Sequence, residues 1–291
     1  MHQYLRAVGF SNIKSKKELK DLMNDLVVNS TSKDFVETDR DSLLVEYSKE
    51  YCPSVGITLR GEFDEEQNLT MDYYFPFVKP HQVSTDEAVS IERHVQNESF
   101  AGICEDYRVG VTLIFYVQNS MDMMKKIIDS DLEAPKTSIS FSALSINGVV
   151  MLPIKKDAGE LDKIRKASSE RNKKIVAAKQ GDETAIEKLT LEDMDTYNAI
   201  SKRILTDDVY TIVDSFLMPY GVESDQYSIL GEIEEVTLEK NYLTEEEVYV
   251  MDLKCNGLPI TLCINKKDLL GEPEVGRRFK GDIWLSGVIN S

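Results

Sequence analysis

Residues 227–291 constrain the fold most, because they alternate apolar and polar positions and place glycines where a strand has to bend. One such strand runs through Ile229, Gly231, Ile233 and Val236, and a hairpin is predicted over 248–264 around Asn256-Gly257. The segment Gly276-Arg277-Arg278-Phe279-Lys280-Gly281-Asp282-Ile283-Trp284-Leu285-Ser286-Gly287 follows, and its glycines permit the tight bending of a barrel wall. The pattern predicts a small OB-like β-barrel over 222–291.

A length of 291 residues favours more than one domain, and 42% hydrophobic with 29% charged residues is ordinary globular composition. No apolar run reaches the roughly 18 residues a membrane helix needs, and the opening residues show no signal-peptide core. A cytoplasmic protein away from the membrane is therefore expected. The cysteines at 52, 104, 255 and 263 form no C-x-x-C pair and are expected as reduced, buried side chains. A two-residue turn at Asn256-Gly257 would set Cys255 opposite Leu258 and Val250 opposite Cys263, which keeps these two thiols apart.

The net charge of −17 opposes nucleic-acid binding as a main activity, since phosphates would be repelled. Charge is also segregated: residues 155–180 hold nine basic and four acidic side chains, and 181–221 hold three basic and nine acidic. That basic run is expected to lie against acidic surface of the same molecule or of a second copy.

Ser15-Lys16-Lys17-Glu18 is a capping box, followed by Leu19, Leu22, Met23, Leu26 and Val27 at helical spacing. Strands are predicted at 42–47, 55–63, 69–78, 109–117 and 137–152, the last folding back on Asn147-Gly148, with helices near 86–96 and 121–128. Short connections between strands imply an antiparallel sheet with helices over 1–154. A helical connector follows at 155–221: a thinly apolar helix over 157–179, another capped at Thr190-Leu191-Glu192-Asp193, and a third from Thr206-Asp207-Asp208 to Pro219. The expected class is α+β: N-terminal antiparallel sheet with helices, helical connector, C-terminal OB-like β-barrel.

Four stretches carry a resemblance as a set: Tyr4-Leu5-Arg6-Ala7-Val8-Gly9-Phe10, Leu191-Glu192-Asp193-Met194-Asp195-Thr196-Tyr197, Met218-Pro219-Tyr220-Gly221-Val222-Glu223 and Gly271-Glu272-Pro273-Glu274-Val275-Gly276-Arg277-Arg278-Phe279. Over its whole length the chain resembles an uncharacterised domain-of-unknown-function family of anaerobic Gram-positive bacteria. The resemblance implies a bacterial cytosolic protein and brings no catalytic residue with it.

Several constellations are candidates for chemistry. Cys104 with His94 is a candidate nucleophile and base, against the reading of Cys104 as a buried strand cysteine. Glu62 and Asp72, on adjoining strands, are a candidate carboxylate pair across a cleft, although 51 acidic residues make such pairs expected by chance. Only His2, His81 and His94 offer imidazole, with no H-x-x-x-H spacing, and Glu245-Glu246-Glu247 reads as a solvated loop, so no metal or cofactor is expected. Tyr73 and Phe75, in the run Tyr73-Tyr74-Phe75-Pro76-Phe77, are candidates for a ligand groove. Arg277, Arg278, Phe279 and Trp284 mix cations and rings as base-stacking barrels do, while Trp284 also suits a barrel plug and the arginines suit pairing with Glu272 or Glu274.

The expectation is a non-enzymatic cytosolic binding or scaffolding protein that recognises a protein partner or itself. The alternatives are an enzyme acting on a small molecule in a pocket between sheet and connector, and single-stranded nucleic-acid binding by the barrel.

Overall fold

The computed structural model describes residues 2–37, 43–64, 68–94, 99–129, 138–154, 170–171, 173–175, 177–178, 181–204 and 209–290. A 3-10 helix at Gln3–Val8 and helix α1 (Lys16–Val28) precede a meander of β1 (Ser32–Glu37), β2 (Leu43–Cys52), β3 (Val55–Phe63) and β4 (Leu69–Val78). These four strands pair in chain order, all antiparallel. Next come β5 (Val89–His94), β6 (Ser99–Glu105), β7 (Thr112–Val117), α2 (Ser120–Asp129) and β8 (Ser138–Met151). After helices α3 (Glu183–Ile204) and α4 (Val209–Ile212) follow β9 (Phe216–Pro219), β10 (Gln226–Lys240), β11 (Glu247–Cys255), β12 (Leu258–Asn265), β13 (Leu269–Leu270) and β14 (Arg278–Asn290).

The α+β class holds, with an antiparallel four-stranded sheet near the N-terminus and a closed barrel toward the C-terminus. Five strands close it in the order β8, β12, β11, β10, β14 and back to β8, with one parallel contact, β12 to β8. The Asn256-Gly257 turn joins β11 to β12 with both residues at positive φ, 49° and 82°, and Cys255 faces Leu258 as the spacing predicts. The barrel borrows its fifth stave from residues placed by the sequence in the N-terminal sheet. Residues 1–151 and 215–291 accordingly form one compact unit, and 152–214 a second.

The second Asn-Gly pair does not turn. Asn147-Gly148 lies inside β8, a single strand that pairs with β14 from Ser138 opposite Asn290 to Met151 opposite Arg278. Gly148 has no positive φ, and the register skips Ile146, so the pair marks a bulge. The bulge is held by Ser145, whose hydroxyl shares its one proton between the Asn147 and Asp282 carbonyls, each 2.7 Å away. Gly148 and Gly281 face each other across the ladder, and both leave room for the ring of Phe279, which is wholly buried inside the barrel.

β5 replaces the helix expected near 86–96: its backbone finds a ladder partner in β6, Val89 opposite Cys104 and His94 opposite Ser99. Tertiary pairing overrides the helical composition there. Ser15 forms the predicted capping box, accepting from the Glu18 amide at 3.1 Å while Glu18 accepts from the Ser15 amide at 2.9 Å.

Two apolar clusters share the barrel wall. Phe279, Ile283 and Leu285 of β14 point inward with Ile260, Leu262 and Ile264 of β12, whereas Trp284 points outward beneath Tyr4 and Tyr116. Trp284 is therefore not a barrel plug, because period-two alternation puts it on the face opposite Phe279. The N-terminal segment covers that outer face with Tyr4, Leu5, Ala7, Val8 and Phe10, all buried. Burial of each of the larger ones stabilises by roughly 1.5–3 kcal/mol.

Glu246 anchors this segment and is not the solvated loop residue its acidic neighbours suggested. Its buried carboxylate accepts from Ser11 Oγ at 2.6 Å, Asn12 Nδ2 at 2.9 Å, Asn265 Nδ2 at 2.7 Å and Lys267 Nζ at 3.0 Å. Burial alone would raise this carboxyl, but the bonds from Ser11, Lys267 and Asn265 hold it below the usual glutamate range. A depressed carboxylate contributes stability above its unfolded pKa and loses it as pH falls through the folded value. Glu246→Gln is accordingly expected to cost about 1–3 kcal/mol at neutral pH, with the gap from the parent closing below about pH 4. Urea unfolding from pH 3 to 8 reads this directly, and a gap that stays constant across that range would refute it.

In the second unit α3 starts earlier than the sequence suggested. Asp182 caps it, its Oδ1 accepting from the Thr184 amide at 2.9 Å and the Ala185 amide at 3.2 Å, while Thr190 sits mid-helix and its hydroxyl donates to the Ile186 carbonyl. Residues 206–208 lie outside the described residues, as does most of the basic run: 155–169, 172, 176 and 179–180. Residues 216–219 are strand, not helix, because Tyr227–Leu230 of β10 offer them a ladder. No helix of the described residues is long and apolar enough to cross a membrane.

Candidate functional site

β14 changes partner along one edge: it pairs with β10 as far as Trp284 and with β7 from Ser286. β10 and β7 diverge at that point, and the phenol of Tyr227 bridges them, accepting from the Ile114 amide at 2.7 Å and donating to the Ile114 carbonyl at 3.2 Å. A cavity of about 760 Å³ opens over this seam. Its walls come from the N-terminal residues His2 to Tyr4, from Tyr73 of β4, from β6 and β7 at Phe100, Ala101 and Ile114 to Tyr116, from residues 222–225, and from Trp284.

The rings form a continuous run. Phe75 lies 4.8 Å from Tyr116, Tyr116 lies 5.2 Å from Trp284, and Trp284 stacks on Tyr4 at 5.6 Å and meets His2 at 4.9 Å. Tyr73 joins at 5.9 Å from Phe75 and 6.1 Å from Tyr116. Such offset and tilted pairs add stability beyond their burial and hold the floor rigid. The Trp284 indole N–H donates to the Asp225 carboxylate at 2.7 Å, and the Leu285 amide donates to the Asp225 carbonyl at 2.9 Å. Asp225 thus fixes the indole from both its side chain and its backbone.

Burial shifts the titratable rings of these walls. Burial lowers His2 to about 4, which leaves it neutral near pH 7. Burial raises the Tyr73 phenol to about 12 and pushes those of Tyr4 and Tyr116 higher still. Glu223 and Asp225 are carboxylates of the lining, and among the described residues no lysine or arginine is part of it.

Beneath the floor, Arg60 lies over the Phe75 ring at 5.1 Å. It donates to Glu46 at 2.6 Å, to the Tyr116 hydroxyl at 3.3 Å and to the Gln118 carbonyl at 3.0 Å. Glu46 also borders a second cavity of about 410 Å³, with Phe75, Phe77, Gln118, Asp122 and Asn290.

Tyr73 and Trp284, singled out from the sequence, line the same cavity, and Phe75 lies next in the ring run. The others lie elsewhere. Phe279 is inside the barrel and Arg278 is buried, so neither joins Trp284 in an exposed stacking face. Arg277 pairs with Glu274 at 2.8 Å and donates to the Glu272 carbonyl at 2.9 Å, the loop pairing its position suggested. Cys104 is buried, its thiol raised to about 11 by burial, then by Asp106 and Glu87, and it sits at the opposite end of the β5–β6 hairpin from His94. That arrangement supplies neither a thiolate nor an adjacent base. Glu62 faces Thr70, while Asp72 is the extra residue of a bulge, so these carboxylates are not cross-strand neighbours. Among the described residues no group of three or more His, Cys, Asp or Glu side chains could hold a metal ion.

Sequence reasoning missed His2, Tyr4, Tyr116, Glu223 and Asp225. Only Tyr116 left a signal, as the residue out of phase with the inward positions Leu113, Phe115 and Val117 of β7. The rest are brought in by tertiary contacts that no local pattern encodes. No curated protein matches this chain. No solved structure matches it either. A family model described as a domain of unknown function, E. rectale gene description (DUF3881), matches residues 5–287, and the chain belongs to that family.

Proposed function

We propose that this protein is a non-enzymatic binding protein of the cytoplasm that recognises a protein partner, another chain or a second copy of itself, at the ring-floored cavity beside β14. The observation that carries this reading is the cavity itself: rigid rings, the indole fixed by Asp225, and an exposed apolar rim. Val222 is fully exposed at the mouth, and Met218 and Tyr220 in the same segment are 56% and 50% exposed. Exposed aromatic and methionine side chains around a pocket are the composition of protein interfaces. Burial takes His2 below neutral and the phenols of Tyr4, Tyr73 and Tyr116 further above it, which supports binding over acid–base catalysis by these rings.

A photo-reactive residue at Val222 of the full chain, expressed in cells, is expected to give one adduct of defined mass that disappears when Tyr73→Ala is added. An adduct indifferent to Tyr73, or none, would refute the reading. Light scattering of the full chain at low and high salt then assigns the partner, a doubled mass marking a second copy.

A further inference from the structure

We infer that the cavity takes an alkylated ammonium group, a trimethylammonium head in the simplest case, carried on the partner. This rests on the binding reading above and adds the chemistry of what is bound. Three features of the lining converge on it.

The first is the wall itself: Tyr4, Tyr73, Tyr116 and Trp284 bring electron-rich rings and phenol oxygens to one space, and electron-rich rings attract cations, indole most strongly. The second is charge. Glu223 and Asp225 belong to the lining, His2 is neutral near pH 7, and among the described residues no lysine or arginine lines the cavity. The field of these carboxylates reaches the rings: after burial, the groups that disfavour ionisation of Tyr4 are Asp225, Glu223 and Asp282. Arg60, which touches Tyr116 from below, is paired with Glu46 and is not part of the lining. Anions are thus disfavoured and cations favoured before any contact forms.

The third feature is the extent of ring surface, since Phe100 and Phe115 belong to the lining beside the four electron-rich rings. A bare ammonium is compact and strongly hydrated, and it needs three acceptors to replace its water. An alkylated one is weakly hydrated and presents methyl groups to ring carbons. A volume of about 760 Å³ exceeds what such a head fills, which leaves space for the chain that carries it.

Trp284 is the only tryptophan, so its emission reports on the cavity wall without a label. The full chain would be titrated with choline, with its uncharged isostere 3,3-dimethylbutan-1-ol, and with a short peptide carrying trimethyllysine or unmodified lysine. A saturable change is expected with the trimethylammonium compounds, with affinity roughly tenfold or more above the neutral isostere. Asp225→Asn, which retains an acceptor for the indole, is expected to narrow that preference. Glu223→Gln, at an exposed rim position, should do the same and keeps the test valid if the first variant folds poorly.

Preference for the trimethyllysine peptide over choline supports a protein-borne head; preference for choline supports the ammonium site and counts against the protein-partner reading. Equal response to the neutral isostere overturns the cation site and leaves the cavity as a binding surface. No saturable response to any probe also overturns it, and the Val222 adduct then decides the partner reading on its own.

Discussion

Arg60→Met is expected to destabilise the protein by about 3–5 kcal/mol, measured by urea unfolding followed through Trp284. Arg60 is buried on β3, and its guanidinium holds Glu46 at 2.6 Å. Burial draws the Glu46 carboxyl above the usual range even with that partner present. Removing the cation leaves a largely buried acid without the charge that offsets its desolvation, and also releases the Tyr116 hydroxyl and the Gln118 carbonyl. The double variant Arg60→Met, Glu46→Leu should recover most of the loss, because the cost lies in the orphaned charge more than in the missing pair. A single variant within 1 kcal/mol of the parent would show that water or a neighbour compensates Glu46 and would refute the argument.

Gly281→Ala should cost about 2–3 kcal/mol, at the upper end of ordinary overpacking. Its added Cβ would overlap the Asn147 carbonyl oxygen and meet Phe279 Cζ at 2.7 Å. At the facing Gly148 the atoms in the way belong only to side chains, Phe279 Cζ at 2.9 Å and Ile264 Cδ1 at 3.1 Å among them. The two substitutions therefore differ in how they can be rescued. Phe279→Leu should relieve Gly148→Ala substantially and Gly281→Ala only slightly, since a carbonyl in a strand ladder cannot step aside. Equal rescue in both backgrounds, by thermal or urea unfolding, would show the ring alone to be the obstacle.

The two Asn-Gly pairs show how far the sequence could be read. At 256–257 local turn chemistry agrees with the strands that flank it, so hairpin and register both follow from spacing. At 147–148 the same dipeptide is overruled, because β14 offers β8 a continuous partner and Phe279 needs the space over the glycine. The segment holding Val89 and Ile91 reads as helical until β6 is available to pair with it, a contact between strands. The site behaves likewise. Tyr73 and Trp284 stand out as large rings on alternating strands, but their convergence depends on the N-terminal segment folding across the barrel and on Asp225 gripping the indole. Such contacts join residues far apart in sequence and leave no periodicity behind.

The pairing of β8 with both β12 and β14 also sets a timetable. β8 has to wait for partners that follow the whole of residues 152–214 in sequence, so the barrel cannot close until those residues have been made. Long-range closure of this kind slows folding and leaves strand edges uncovered meanwhile. The apolar face of β8, with Ile139, Phe141 and Ala143, is then the part of a nascent chain most in need of a chaperone.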